Sequence, residues 1–172
     1  AAFLENKLSE ANAAGADGVI IDMKTFGGRV DSATKMRDAI IASGVPVVVY
    51  IESRAISAGA LISIAAETIV MAPGSHIGAA QPIPDDPKTV AFVSGEFRTT
   101  AERTGRDPQI AMAMVDASIE IEGLVRAGEI LDLTANEAFE NGYADHIATG
   151  IDAILEIMGW EGANVIPEVP DF

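Results

Sequence analysis

The chain has 172 residues, 49% hydrophobic and 22% charged, which is enough for one domain with a packed core. With 26 acidic residues against 11 basic ones, the net charge of −15 argues against binding nucleic acid or anionic lipid through its own surface. It has no cysteine and two histidines, which excludes disulfides, thiolate metal sites and cysteine nucleophiles and leaves little for a histidine-rich metal site.

Residues 1–14 read as an amphipathic helix with Leu4, Leu8 and Ala11 on one face. The apolar run 18–23 is a buried strand, broken by Gly27-Gly28. Asp31 or Ser32 caps a second helix that ends at Ser43-Gly44. Residues 46–51, with Val47, Val48, Val49 and Tyr50, form the strongest strand signal. The stretch 55–66 is small and apolar throughout and reads as a buried helix, followed by a strand over 68–72. Residues 74–78 read as a turn, and 79–87, with three prolines, as a loop. A long helix spans about 88–104, Gly105 to Pro108 ends it, and 109–115 is helical again. Leu133-Thr134 opens a helix with a capping box, Glu137 lying three residues after Thr134. A short strand over 143–148, a helix over 151–158 and an irregular tail complete the chain. Strands alternating with helices argue an α/β fold with a largely parallel sheet. The strand–strand–helix rhythm recurs weakly between 18–43 and 47–66. No apolar run approaches the roughly 18–20 residues of a membrane span.

Three places carry chemical possibilities. Gly27-Gly28 follows a strand end, where paired glycines let a backbone approach a ligand and turn amide N–H groups outward. The same pair also makes an ordinary tight turn. Ser57 lies where a strand gives way to a small-residue helix, a place that exposes a hydroxyl beside free amides. Taken alone, a helix cap is the stronger reading of that serine. Lys88 falls in the first turn of the long helix. The dipole there disfavours a cation, and a neutral amine is a general base. The competing reading is a solvated surface lysine. A triad of Ser57 with His76 or His146 can be drawn on paper, but neither histidine has a spacing that marks it as a base. No P-loop, dinucleotide fingerprint or metal motif is present.

The segments IESRAISAGA (51–60) and IVMAPGSHIGA (69–79) together resemble the active-site stretch of NfeD-type membrane-bound serine proteases. These belong to the Clp-protease/crotonase superfamily and are related to signal peptide peptidase A. IDMKTFGGRVDSA, GRDPQIAMAMVD and LTANEAFENGYADHIA resemble further segments of that family, so the likeness runs from about residue 17 to 150. The resemblance implies a Clp protease/crotonase-like fold of repeated ββα units, with helices packed on a largely parallel sheet. It implies Ser57 as nucleophile and Lys88 as base, with the backbone N–H groups of Gly28 and Ala58 as oxyanion donors and Gly27 and Gly59 as supporting loop positions. No cofactor and no metal are implied. Phe26 stands where the family has proline, and only 31 positions separate Ser57 from Lys88, which implies a shortened loop over 79–87.

The implied function is a serine endopeptidase acting on apolar segments of membrane-associated proteins such as a stomatin-like partner. The implied assembly is a homodimer. Residues 1–172 are expected to form a single soluble protease domain. The transmembrane helices and small C-terminal β-barrel of a membrane-bound parent, which would hold this domain outside the cytoplasm, are expected to lie elsewhere. Two alternatives share the fold: a crotonase-like acyl-CoA enzyme, and a non-catalytic scaffold that binds a stomatin-like partner.

Overall fold

The computed structural model describes residues 1–170. In chain order the elements are α1 (Ala2–Ala14), β1 (Val19–Thr25), α2 (Val30–Ile41), β2 (Val47–Ile56), α3 (Ala58–Ile64), β3 (Thr68–Met71), β4 (His76–Gly78), α4 (Pro87–Thr104), α5 (Pro108–Ala113), β5 (Asp132–Thr134), α6 (Ala135–Glu140), β6 (His146–Ile147) and α7 (Ile151–Met158). The strands form one six-stranded sheet in the order β5-β4-β2-β3-β6, with β1 on the other side of β2. All pairings are parallel except β4 with β5.

Strand β2 organises this sheet. It runs beside β1 on one edge. On its other edge Val48–Ile51 pair with β3, and Arg54–Ile56 pair with β4. Its apolar run is continuous because both of its faces are covered. Val47, Val49 and Ile51 enter the main core, whereas Val48 and Tyr50 enter a second cluster with Val70, Ala72 and Ile154 of α7. That alternation is the period of two expected of a strand.

Helix α3 is buried nearly throughout and packs hard on the sheet. A Cβ on Gly59 would lie 2.3 Å from Thr25 Cγ2, so only glycine allows this approach. Behind α3, the Arg106 side chain is 6% exposed. Its guanidinium donates to the carbonyls of Ile64, Ala66, Glu67 and Tyr143 at 2.8–3.3 Å, and to Thr104 Oγ1 and Asp145 Oδ2. The acceptors close the end of α3, the turn into β3 and the approach to β6. Burial opposes the charge on Arg106, and the nearby Asp145 carboxylate offsets part of that.

Several local expectations need correction. Helix α2 starts at Val30, with Arg29 as its N-cap and no side-chain capping bond. Asp31 lies inside the first turn and pairs with Arg29 instead, which holds its carboxyl down at about 2. The helix expected from residue 55 begins at Ala58, because β2 continues to Ile56 to reach β4. Residues 76–78, read as a turn, are β4, and Asp132–Thr134 pair with it as β5. Strands this short carry too few residues for periodicity to show. The Thr134 capping box is present, with Thr134 and Glu137 exchanging bonds at 3.0–3.1 Å.

Replacing Arg106 by alanine removes a donor from four main-chain carbonyls at once, of which Ile64 O keeps the Thr104 hydroxyl. The expected loss is about 3–5 kcal/mol, measured by urea unfolding. A loss below roughly 1 kcal/mol would show that the guanidinium does not hold these segments together.

Candidate active site

The sheet ends its parallel strands on one side at Thr25, Ile56 and Gly78, and the predicted site residues gather there. Ser57 follows β2 directly and occupies φ 58°, ψ −119°. This left-handed conformation costs a residue with a Cβ about 1–3 kcal/mol. It persists because both sides of the peptide are held. The Ser57 N–H donates to Gly78 O at 2.9 Å, and the Ser57 carbonyl accepts from Ala60 N–H at 3.0 Å. Gly78 is fixed in turn: a Cβ there would meet Leu131 O at 2.5 Å, and the next residue, Ala79, donates to that same carbonyl at 2.9 Å.

The capping reading of Ser57 is not met. Ser57 stands at the N-cap of α3, yet its side chain makes no capping hydrogen bond. The twisted backbone turns the hydroxyl away from the helix amides. What it meets is Gly27. A Cβ on Gly27 would lie 2.8 Å from Ser57 Cβ and 3.2 Å from Ser57 Oγ, and Gly27 itself has φ 122°. Glycine is thus required at 27 for two independent reasons. Thr25 Oγ1 anchors the loop by accepting from the Gly27 N–H at 3.1 Å and donating to Gly27 O at 3.3 Å. Gly28 differs, since a Cβ there would meet nothing within 4 Å. Among the described residues the N–H groups of Gly28 and Ala58 donate to no protein acceptor. Gly59 acts one layer back, by letting α3 close on Thr25.

Lys88 lies in the first turn of α4, exposed to solvent. Asp86 caps that turn, accepting from the N–H groups of Lys88 and Thr89 at 3.1 Å and from Thr89 Oγ1 at 2.6 Å. The Thr89 hydroxyl and these amides hold the Asp86 carboxyl below its usual range. Among the described residues no hydrogen bond joins Lys88 to Ser57. Ser57 and Gly27 are therefore in contact, whereas Lys88 is held at the start of its helix without engaging the hydroxyl. Exposed Ile83 and Phe92 lie on either side of Lys88 in the chain.

Two interactions at this edge escape a reading of the sequence. His76 Nδ1 and Asp132 Oδ2 are 2.7 Å apart across the β4–β5 pair, and no hydrogen bond links His76 to Ser57 among the described residues. The Arg54 guanidinium lies 4.6 Å from the centre of the Phe26 ring, a cation–π distance. Between β1 and β2 the register shifts, Met23 facing Ile51 and Thr25 facing Ala55, so two additional residues of β2 bulge there. Bulges of this kind re-aim side chains beside active sites. The partnering of Phe26 with Arg54 has no local signal, because the two are 28 positions apart.

Comparison with known proteins gives consistent matches. The family model described as NfeD1b, N-terminal domain, matches residues 1–168. Membrane protein NfeD1b of Bacillus subtilis is 37% identical over 171 residues, which cover 96% of this chain and 39% of that protein. Membrane-bound protease PH1510 of Pyrococcus horikoshii is 29% identical over 154 residues, covering 82% of this chain and 32% of that protein. The chain thus spans about two fifths or less of these curated relatives. Among solved structures, a serine-to-alanine mutant of the 1510-N membrane-bound stomatin-specific protease matches with TM-score 0.78 and 26% identity, over 89% of this chain and 74% of that one. A lysine-to-alanine mutant of the same protease, in complex with a substrate peptide, matches with TM-score 0.76 and 26% identity, over 89% of this chain and 70% of that one. ClpP1 from Listeria monocytogenes shares the fold, with TM-score 0.67 and 20% identity over 88% of this chain and 85% of that one. The ClpP-like α/β fold expected from the sequence is the fold observed.

Gly27→Ala and Gly28→Ala should separate the two glycines. The first is expected to lower stability by roughly 1–3 kcal/mol, through the clash with Ser57 and the positive φ. The second should stay within about 0.5 kcal/mol. Denaturant titration of both variants checks this, and equal effects would contradict the close contact at Gly27.

Proposed function

The chain belongs to the NfeD1b N-terminal domain family, and from that premise we propose a serine endopeptidase in which Ser57 is the nucleophile and Lys88 the general base. The observation that carries this reading is the conformation of Ser57. Its backbone is strained, its hydroxyl is uncapped and directed at Gly27, and two unpaired N–H groups lie in the adjoining segments. A serine that served only to start a helix would use its hydroxyl to cap it. The acyl-CoA alternative has no use for a strained serine, and a non-catalytic scaffold has no use for unpaired amides.

In the proposed reaction the Ser57 hydroxyl attacks the scissile carbonyl while its proton passes to neutral Lys88. The N–H groups of Gly28 and Ala58 receive the oxyanion, each donor contributing about 3–4 kcal/mol in comparable chemistry. The lysine ammonium then protonates the leaving amine, and water releases the acyl group with Lys88 again taking the proton. For this Lys88 must come to the hydroxyl, and a bound polypeptide lying between the Gly27–Gly28 loop and α4 supplies the occasion. In unliganded enzymes catalytic hydrogen bonds are often long and tighten on binding.

The substrate class follows the relatives. The membrane-bound protease PH1510 is described, in the structure of its 1510-N part, as specific for stomatin, so the proposed substrate is an apolar segment of a stomatin-like, membrane-associated protein. Exposed Ile83 and Phe92, before and after Lys88 in the chain, and Phe26, which precedes the glycine loop, offer apolar side chains to such a segment. No described helix is long and apolar enough to cross a membrane. Attachment to a membrane is proposed from the relatives' description as membrane proteins, with this domain displayed outside the cytoplasm. Homodimerisation is proposed along with the peptidase activity.

Ser57→Ala and Lys88→Ala are each expected to abolish cleavage of an apolar peptide while leaving the unfolding midpoint unchanged. The wild-type rate should rise toward alkaline pH, because only the neutral amine accepts the serine proton. Cleavage is followed by mass spectrometry, and Ser57 is titrated with a fluorophosphonate. Full activity in Lys88→Ala would end the dyad assignment, and a fluorophosphonate adduct on a different serine would end the assignment of the nucleophile.

A further inference from the structure

The edge that carries Ser57 also gathers cations in a strongly acidic chain. Lys24 on β1, Arg29 after the glycine loop and Arg54 on β2 lie there, with His76 on β4 beside them. Two of these cations have acidic partners, Lys24 with Glu52 at 4.0 Å and Arg29 with Asp31 at 2.9 Å, and His76 pairs with Asp132 at 2.7 Å. Arg54 has none among the described residues. Its register partner across the β2–β4 pair is His76, and the Asp132 carboxylate on that side is engaged by His76.

Arg54 is nevertheless held. It is partly buried, and its guanidinium stacks at 4.6 Å on Phe26, a ring that is 78% exposed. Stacking fixes the plane of a guanidinium and leaves its N–H groups at the rim, ready for a bidentate partner. Both partners of the stack lie next to the proposed nucleophile. Phe26 immediately precedes Gly27, the residue packed on Ser57, and Arg54 precedes Ser57 by three positions. A charge with no acidic partner among the described residues, held against an aromatic ring near the proposed nucleophile, suits an anion supplied from outside.

On the premise that the domain binds polypeptides as an endopeptidase, we infer that Arg54, platformed on Phe26, is a specificity-determining residue that takes a carboxylate side chain of the bound polypeptide. At strand spacing the span from Arg54 to Ser57 is about 10 Å, or roughly three substrate residues from the scissile bond. The preferred substrate is then an apolar segment flanked on one side by Asp or Glu. An apolar groove alone discriminates poorly between apolar segments, and the carboxylate supplies the register.

The test uses the Ser57→Ala protein, which binds without turnover, and short fluorescein-labelled alanine–valine peptides. A single Glu is scanned across the peptide, with Gln at the same position as control, and affinity is read by fluorescence anisotropy. At one position the Glu peptide should bind about tenfold more tightly than its Gln counterpart, and the advantage should shrink as salt is raised. Adding Arg54→Gln should remove the advantage, Arg54→Lys should keep its sign, and Arg54→Glu should transfer the preference to a Lys peptide. Equal binding of Glu and Gln peptides at every position, failure of all peptides to bind, or survival of the preference in Arg54→Gln overturns the inference. Cleavage by the protein with Ser57 intact is scored separately. Cleavage without a Glu preference defeats the subsite alone, and a Glu preference in binding without cleavage defeats the endopeptidase reading alone.

Discussion

The shared edge of β2 is the constraint on which the rest of this fold depends. One strand supplies hydrogen bonds first to β3 and then, past Ile51, to β4. The chain must therefore leave β3, turn, and come back onto the same edge further along. Ser75 helps to close that turn, its hydroxyl and N–H both donating to Ala72 O at 2.6 and 3.1 Å. Because β2 continues beyond β3, its end projects with β4 alone on that edge, and Ser57 is placed where the strand must become a helix. The serine's strained backbone follows from that geometry. The peptide is bonded to Gly78 on one side and committed to α3 on the other, which leaves little freedom in φ.

Much of this was legible in the residues, and the exceptions have physical causes. The run over 47–50, the uncapped apolar stretch of α3 and the Thr134 capping box show themselves through composition and spacing alone. The position of Ser57 at a strand–helix junction was equally visible, though its left-handed backbone was not. Backbone strain is imposed by Gly78 and Ala60 through bonds that no local pattern announces. The same holds for β4 and β5, each three residues long, and for the Phe26–Arg54 stack, whose partners meet only because β1 and β2 are neighbours. Gly27 and Gly28 look alike in the sequence. Only packing distinguishes a glycine forced by contact with Ser57 from one that leaves space open.

The site is unevenly prepared. Ser57 is held by its bonds to Gly78 and Ala60, and the glycine loop by Thr25. Lys88 is positioned along its helix by the Asp86 cap, but its side chain is free in solvent. In the proposed reaction a carbonyl can be polarised by fixed dipoles before the base arrives.

Arg106 ties the middle of the chain to both its neighbours. Through one guanidinium, carbonyls from residues 64 to 67 and from Tyr143 share a single set of donors. The Tyr143 hydroxyl, bonded to the Asp107 carbonyl, fastens the same junction from the other side, and burial pushes that phenol well above its ordinary range. The segment that carries β6 and α7 consequently cannot fray on its own, since releasing it strands buried polar groups beneath α3. Unfolding at the end of the chain and loosening of the helix behind the serine become one cooperative event. Thermal opening near residue 143 would then loosen the far end of α3, the helix that starts beside Ser57, 86 positions earlier in the chain.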